Sequence, residues 1–117
     1  MSHTVLLVED EDDLRESMRD LLQDSGYAVV AARDGQEALE ALAHIPHLCM
    51  VLLDLFMPRM NGWDFFKEMR ARPELSAVPI IVHSSAPSRA PAGVTLVLTK
   101  PVPPERLLSV VREYCAE

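Results

Sequence analysis

The sequence predicts an α/β domain in which a parallel sheet is covered by helices on both faces. Two observations lead to this fold class. Short aliphatic runs alternate with longer segments of helical period along all 117 residues. Several runs are apolar at consecutive positions, which is typical of strands buried on both faces of a parallel sheet. Because strands twist to the right, the crossovers between them are expected to be right-handed.

Five aliphatic runs are predicted to be the strands. In chain order they are Thr4–Val8, Ala28–Ala32, Leu48–Leu53, Val78–Val82 and Thr95–Leu98. Polar or charged side chains follow four of them, and in open parallel sheets ligands bind beyond the carboxyl ends of the strands. The sequence therefore brings several polar groups to one edge of the sheet.

The segments between the runs are predicted to be amphipathic helices. The first ends at Gly26, and its apolar stripe is Leu14, Met18, Leu21 and Leu22. The second begins with a capping box, in which Asp34 is the N-cap and Glu37 reaches back. The third begins near Gly62 and is expected to bury Trp63, Phe66 and Met69. The last begins at Pro104, a favoured first position, and is expected to bury Leu107, Leu108, Val111 and Tyr114.

The connection before the fifth run is too short and too rich in proline for a regular helix. A parallel crossover normally takes about a dozen or more residues, whereas only residues 85–94 are available here. Pro87 and Pro91 divide them, and proline inside a helix costs about 3 kcal/mol or more. We therefore expect the fourth helix to be shortened or missing. Leu96 or Val97 should then be poorly covered and could form a contact for a homodimer or a dedicated partner.

Composition predicts a single domain, residues 1–117, in the cytoplasm. The net charge of −7 repels phosphate backbones, so no direct binding of nucleic acid is expected. The apolar run Val5–Val8 is too short for a membrane span or a secretory signal, so no membrane association is expected. Cys49 and Cys115 lie in apolar surroundings and are expected to be reduced thiols that serve as small apolar residues.

The residues after the strands suggest a site for a divalent cation. Glu9 and Asp10 follow the first run, Asp54 the third, Ser84 the fourth, and Lys100 lies just beyond the fifth. Each has an ordinary alternative: a solvated acidic turn at a helix N-terminus, a strand end, or a salt-bridge partner. Carboxylates brought together at one edge repel each other unless a cation lies between them. Mg²⁺ suits one or two carboxylates plus phosphate.

These residues resemble the signature of response-regulator receiver domains. The resemblance rests on Val8-Glu9-Asp10, on the stretch Asp54–Gly62 (DLFMPRMNG), on Ser84 and on Lys100-Pro101. It implies a flavodoxin-like, doubly wound five-stranded parallel sheet of order 2-1-3-4-5.

The resemblance also implies a Mg²⁺ site and a phosphoacceptor. Asp10 and Asp54 would be direct metal ligands, together with the backbone carbonyl of Phe56. Glu9 would be the further acid of the pocket, acting on the metal largely through water.

The expected reaction is transfer of a phosphoryl group to the Asp54 carboxylate. The donor would be a phosphohistidine of a histidine kinase or phosphotransfer protein. Ser84 would hydrogen-bond the new phosphoryl group and Lys100 would pair with it. The product would bias a two-state switch read by a downstream protein of unknown identity.

Two residues depart from the family pattern. Val97 lies where many receivers carry a Tyr or Phe that rotates on activation. Phe56 lies two residues after the acceptor, where polar residues are also common, and its bulk is expected to restrict attack by water on the phosphoryl group.

Two other readings of the sequence were considered. One is a pseudo-receiver, the same fold acting as an interaction module without phosphorylation. The other is a hydrolase of the haloacid dehalogenase type. That class requires a second Asp where Phe56 stands, and a nucleophile after the first strand of the chain, so the sequence does not support it.

Overall fold

The strands of the protein are β1 (Thr4–Val8), β2 (Ala28–Ala32), β3 (Leu48–Leu53), β4 (Ile80–Ser84) and β5 (Leu96–Thr99). They form one parallel sheet in the spatial order β2-β1-β3-β4-β5. The computed structural model describes residues 3–115. The predicted flavodoxin-like fold class is confirmed.

Two helices cover each face of this sheet. The helices are α1 (Asp12–Asp24), α2 (Gly35–Leu42), α3 (Gly62–Arg70) and α4 (Pro104–Tyr114). Side chains of α1 and α4 share one core with the sheet, and side chains of α2 and α3 share the other. None of the described helices is long and apolar enough to cross a membrane.

The first three strands have the predicted bounds, but the last two begin later than predicted. β4 starts at Ile80, two residues after the predicted Val78, because its pairing with β3 begins where Ile80 faces Val51. β5 starts at Leu96 because that residue faces Ile81. In both cases the predicted aliphatic run forms the strand, but the hydrogen bonds to the neighbouring strand determine where the strand begins.

The capping predictions hold with one change of partner. Gly26 follows α1 with a φ of 96°, a left-handed conformation that favours glycine. The Asp34 side chain accepts a hydrogen bond from the Glu37 N–H at 2.8 Å. The Glu37 carboxylate reaches back to the N–H of Arg33, at 3.0 Å, and not to that of Asp34.

The buried stripe of α3 differs from the prediction. Phe65 and Met69 are fully buried, whereas Trp63 and Phe66 are only half-buried. Gly62, Phe65 and Met69 are three and four positions apart, so they form the stripe that faces the sheet. In α4, Leu107 and Val111 are buried as predicted, and Leu108 and Tyr114 are half-buried.

A single 3-10 turn, Pro87–Arg89, replaces the helix that would connect β4 to β5. The predicted shortening is therefore confirmed. The turn packs against α3, where the Trp63 indole N–H donates a hydrogen bond to the Arg89 carbonyl at 2.8 Å. Leu96 and Val97 are half-buried, so the predicted apolar surface on β5 is smaller than expected.

The prediction of reduced cysteines is wrong. Cys49 and Cys115 form a disulfide, with their Cα atoms 5.3 Å apart. Cys49 lies at the start of β3, and Cys115 follows α4, which packs on the same face of the sheet. The two residues are 66 positions apart, so no local pattern in the sequence could reveal the pairing.

Reduction of the Cys49–Cys115 bond should lower the free energy of unfolding by about 2–4 kcal/mol, because it frees a long loop in the unfolded chain. Urea unfolding with and without a reductant measures the change. The matched control is the double variant Cys49→Ser/Cys115→Ser, whose urea midpoint should be the same with and without the reductant. Equal midpoints for the wild type in both conditions would contradict a stabilising bond.

Candidate functional site

Three carboxylates meet at the carboxyl edge of the sheet. Glu9 follows β1 and is fully buried, Asp54 follows β3 and is 3% exposed, and Asp10 is exposed. One carboxylate oxygen from each lies within 4.8 Å of the others. A cluster of oxygen ligands with one exposed member suits a hard cation such as Mg²⁺, which prefers carboxylate and water oxygens.

The backbone around Asp54 holds its side chain in place. The Asp54 N–H donates to the Val8 carbonyl at 3.0 Å, and its Oδ1 accepts from the Leu55 N–H at 2.9 Å. The start of α3 passes very close, because a Cβ on Gly62 would lie 2.8 Å from the Leu55 Cα. Any side chain at Gly62 would therefore displace the backbone of Asp54 and Leu55.

Lys100 links the two buried acids. Its ammonium lies 2.7 Å from Glu9 Oε1 and 3.4 Å from Asp54 Oδ1. Burial alone would lower the pKa of Lys100, but the hydrogen bond from Lys100 to Glu9 and the charges of Glu9 and Asp54 raise it. The ammonium is therefore charged at neutral pH and remains close to the Asp54 carboxylate.

Ser84 ends β4 beside this cluster and is fully buried. Its Oγ accepts a hydrogen bond from the Ala86 N–H at 3.0 Å, and its carbonyl accepts one from the Lys100 N–H at 2.9 Å. A hydroxyl that accepts a bond still has its own hydrogen to donate. Ser84 can therefore donate to an anion at this edge.

The Asp54 carboxyl is in an environment that opposes its charge. Burial raises the pKa of Asp54 to about 7, and the nearby Glu9 carboxylate adds to the rise, while Lys100 opposes it. A cation bound among the acids would favour the ionised form. The ionised form of Asp54 therefore depends on positive charge in the site.

Phe56 lies at the rim of the site. It is 42% exposed, the only large hydrophobic side chain among the described residues that is exposed. Its ring stands edge-on to Trp63, with 5.2 Å between the centroids. Within residues 3–115 the Phe56 carbonyl accepts no hydrogen bond, so its oxygen is available to bind a metal ion.

Two neighbours of the site were given no role in the sequence analysis. His83 is buried, with its Nδ1 3.5 Å from Glu9 Oε1, and burial lowers its pKa to about 3, with the charge of Lys100 adding to the effect. It is therefore neutral. Arg59 adopts a φ of 63° and pairs with the buried Asp34 at 2.7 Å, which fixes the loop after Asp54 against the start of α2. Asp34 and Arg59 are 25 positions apart, so no local sequence pattern predicts that they form a pair.

The chain belongs to the family of response regulator receiver domains, whose match spans residues 5–112. Its class is therefore that of a signalling domain of two-component systems.

Known proteins that are similar to this chain include both chains of about its length and longer ones. The polar-differentiation response regulator DivK of Brucella ovis is 27% identical over 123 residues, covering 100% of this chain and 99% of DivK. Response regulator RR06 of Streptococcus pneumoniae is 37% identical over 81 residues, covering 69% of this chain and 36% of RR06. The solved structure of the chemotaxis response regulator CheY4 of Vibrio cholerae has a TM-score of 0.83 and 32% identity, covering 97% of this chain and 99% of that one.

The substitution Asp54→Asn should stabilise the metal-free protein at pH 8. The folded pKa of Asp54 is raised from 3.8 to about 7, so the wild type loses stability as the pH rises between these values. We expect a gain of about 1–3 kcal/mol at pH 8 that shrinks towards pH 4, measured by urea unfolding in EDTA.

The control for this measurement is Asp20→Asn, at an exposed position of α1. It should change stability by less than about 0.5 kcal/mol at either pH. An Asp54→Asn variant no more stable than the wild type at pH 8 would mean that the buried carboxylate is not destabilising.

Proposed function

We propose that residues 1–117 act as one receiver domain that accepts a phosphoryl group on Asp54 in a Mg²⁺-dependent reaction. The donor is a phosphohistidine of a histidine kinase or a phosphotransfer protein. The observation that carries the proposal is the contact of one ammonium, Lys100 Nζ, with both buried carboxylates, Glu9 and Asp54. A purely structural ion pair needs only one carboxylate beside the lysine. Here Glu9 pairs with Lys100 at 2.7 Å, and Asp54 is left as a second carboxylate that can react.

The reaction is an in-line displacement at phosphorus. An ionised Oδ of Asp54 attacks, the bond from phosphorus to the donor imidazole nitrogen breaks, and that nitrogen keeps the electron pair. The exposed side of the cluster, at Asp10, leaves room for the donor to approach.

The residues of this chain stabilise the charge that develops on the phosphoryl oxygens. Lys100 already lies 3.4 Å from Asp54 Oδ1, and the Ser84 hydroxyl has a hydrogen to donate. Such preorganised donors usually supply the largest part of the rate enhancement. The Glu9 carboxylate holds the Lys100 ammonium and the Ala86 N–H holds the Ser84 hydroxyl, so both donors are oriented near Asp54 before the reaction.

Asp10, Asp54 and the carbonyl of Phe56 are the proposed ligands of Mg²⁺, with Glu9 acting through water. The metal, when bound, would neutralise charge on the transferred group and on the clustered acids.

Phosphorylation then changes which proteins the domain binds. We propose a downstream protein partner and, as a second form of output, a homodimer through the surface around β5 and the turn Pro87–Arg89. The proposed location is the cytoplasm. Neither nucleic acid nor a membrane is a proposed partner.

Incubation with acetyl phosphate and Mg²⁺ should add one base-labile phosphoryl group, detected by intact mass. The substitution Asp54→Asn should abolish it, because an amide is a far poorer nucleophile than a carboxylate. The matched control Asp20→Asn, at an exposed site, should be phosphorylated like the wild type. Absence of any adduct in the wild type would support the pseudo-receiver alternative, and a full adduct in Asp54→Asn would exclude that residue as the acceptor.

The substitution Asp10→Asn should weaken Mg²⁺ binding at least tenfold, since it removes a charged oxygen ligand. Titration calorimetry measures the affinity, and His47→Ala, at an exposed position away from the acids, is the control. Unchanged affinity in Asp10→Asn would contradict the ligand assignment.

A further inference from the structure

The turn Pro87–Arg89 brings a cation onto the rim of the site. The Arg89 guanidinium carbon lies 5.4 Å from the centroid of the Phe56 ring and 5.5 Å from that of Trp63. The two rings are inclined by 80°, so the guanidinium occupies the corner between them. Among the described residues Arg89 forms no salt bridge, and the two aromatic faces are its partners.

The same arginine is tied to the strand end that carries Ser84. The Ala86 N–H donates to Ser84 Oγ at 3.0 Å, and the Arg89 N–H donates to the Ala86 carbonyl at 3.0 Å. The Arg89 carbonyl in turn accepts the indole N–H of Trp63. The turn is therefore fixed at both ends, by Ser84 on one side and by Trp63 on the other.

These contacts close a ring of residues around the mouth of the site. Phe56 is two residues from Asp54 along one side, and Arg89 is five residues from Ser84 along the other. The cation over the two aromatic rings joins the two sides. Phe56 is exposed, and its ring contacts the Trp63 ring and the Arg89 guanidinium, so these two contacts hold its position at the rim.

We propose that Arg89 is a positioning residue that holds the Phe56 ring at the rim of the site, two residues from Asp54, and so lengthens the life of the acyl phosphate. This inference rests on the proposed function. Water must approach phosphorus opposite the Asp54 oxygen for hydrolysis, and a ring held at the rim narrows that approach. The path from Ser84 through Ala86 also means that a shift of the Ser84 hydroxyl towards the phosphoryl group moves the turn and changes the surroundings of Trp63.

The central experiment measures the half-life of the adduct by intact mass after acetyl phosphate is removed, with Mg²⁺ retained. Arg89→Ala should hydrolyse about 2- to 5-fold faster than the wild type, the factor expected for loss of an exposed cation–aromatic contact. Arg89→Lys should recover part of the lifetime because it keeps a cation. Arg112→Ala, at an exposed site on α4, is the matched control and should leave the lifetime unchanged.

A double-mutant cycle of Arg89 and Phe56 tests whether Arg89 affects the half-life of the adduct by positioning the Phe56 ring or in some other way. If Arg89 acts through Phe56, Arg89→Ala should have no further effect on the half-life when Phe56 is already Ala. An unchanged half-life in Arg89→Ala, or an equal effect with and without the Phe56 ring, would overturn the proposal. Failure of the proposed function looks different, because the wild type would then form no adduct.

Trp63 supplies a second readout, since it is the only tryptophan of the chain. Beryllofluoride with Mg²⁺, a mimic of the phosphoryl group, should change its fluorescence in the wild type and in Arg112→Ala. The change should fall at least twofold in Arg89→Ala and vanish in Asp54→Asn. A full change in Arg89→Ala would mean that the turn does not carry the signal.

Discussion

The repulsion between two buried carboxylates, Glu9 and Asp54, is the constraint on which the site depends. Both are almost completely removed from water, and removing a charge from water is costly unless a partner is close. Lys100 supplies one positive charge for two negative ones, 2.7 Å from Glu9 and 3.4 Å from Asp54. Burial and the remaining negative charge raise the pKa of Asp54 to about 7. This excess of negative charge favours a cation among the acids, as the proposed Mg²⁺-dependent reaction requires.

The parallel sheet makes this unfavourable cluster possible. Glu9, Asp54, Ser84 and Lys100 all follow strand ends, and neighbouring parallel strands bring those ends to one edge. For this reason the site could be predicted from sequence: each residue is adjacent to an aliphatic run, and the fold class alone brings the ends together. No side-chain conformation had to be known. The order of the strands came from the resemblance to a family, since alternating strands and helices allow several orders.

What could not be predicted depends on contacts between elements whose orientation the sequence leaves open. Helical spacing in α3 is compatible with burying Met69 together with Trp63 and Phe66, as predicted, or together with Phe65. Only packing against the sheet selects Phe65. The disulfide joins residues 66 positions apart, and each Cys looks like an ordinary small apolar residue in its local sequence. Arg89 likewise gave no signal, because a cation between two prolines in a loop is typical of a solvated side chain.

The shortened connection between β4 and β5 explains why a turn, and not a helix, forms this side of the rim of the site. A regular helix between β4 and β5 would cover the sheet with its own apolar stripe, but the two prolines leave a turn of three residues. The half-exposed face of Trp63 then serves as the surface on which the turn rests, which accounts for its position outside the buried stripe of α3. Val97 provides no aromatic ring on β5, and the aromatic side chains near Asp54 come from the loop after β3 and the start of α3. Phe56 and Trp63 therefore place the Arg89 cation at the rim of the Asp54 site, near the charge that the proposed phosphorylation would change.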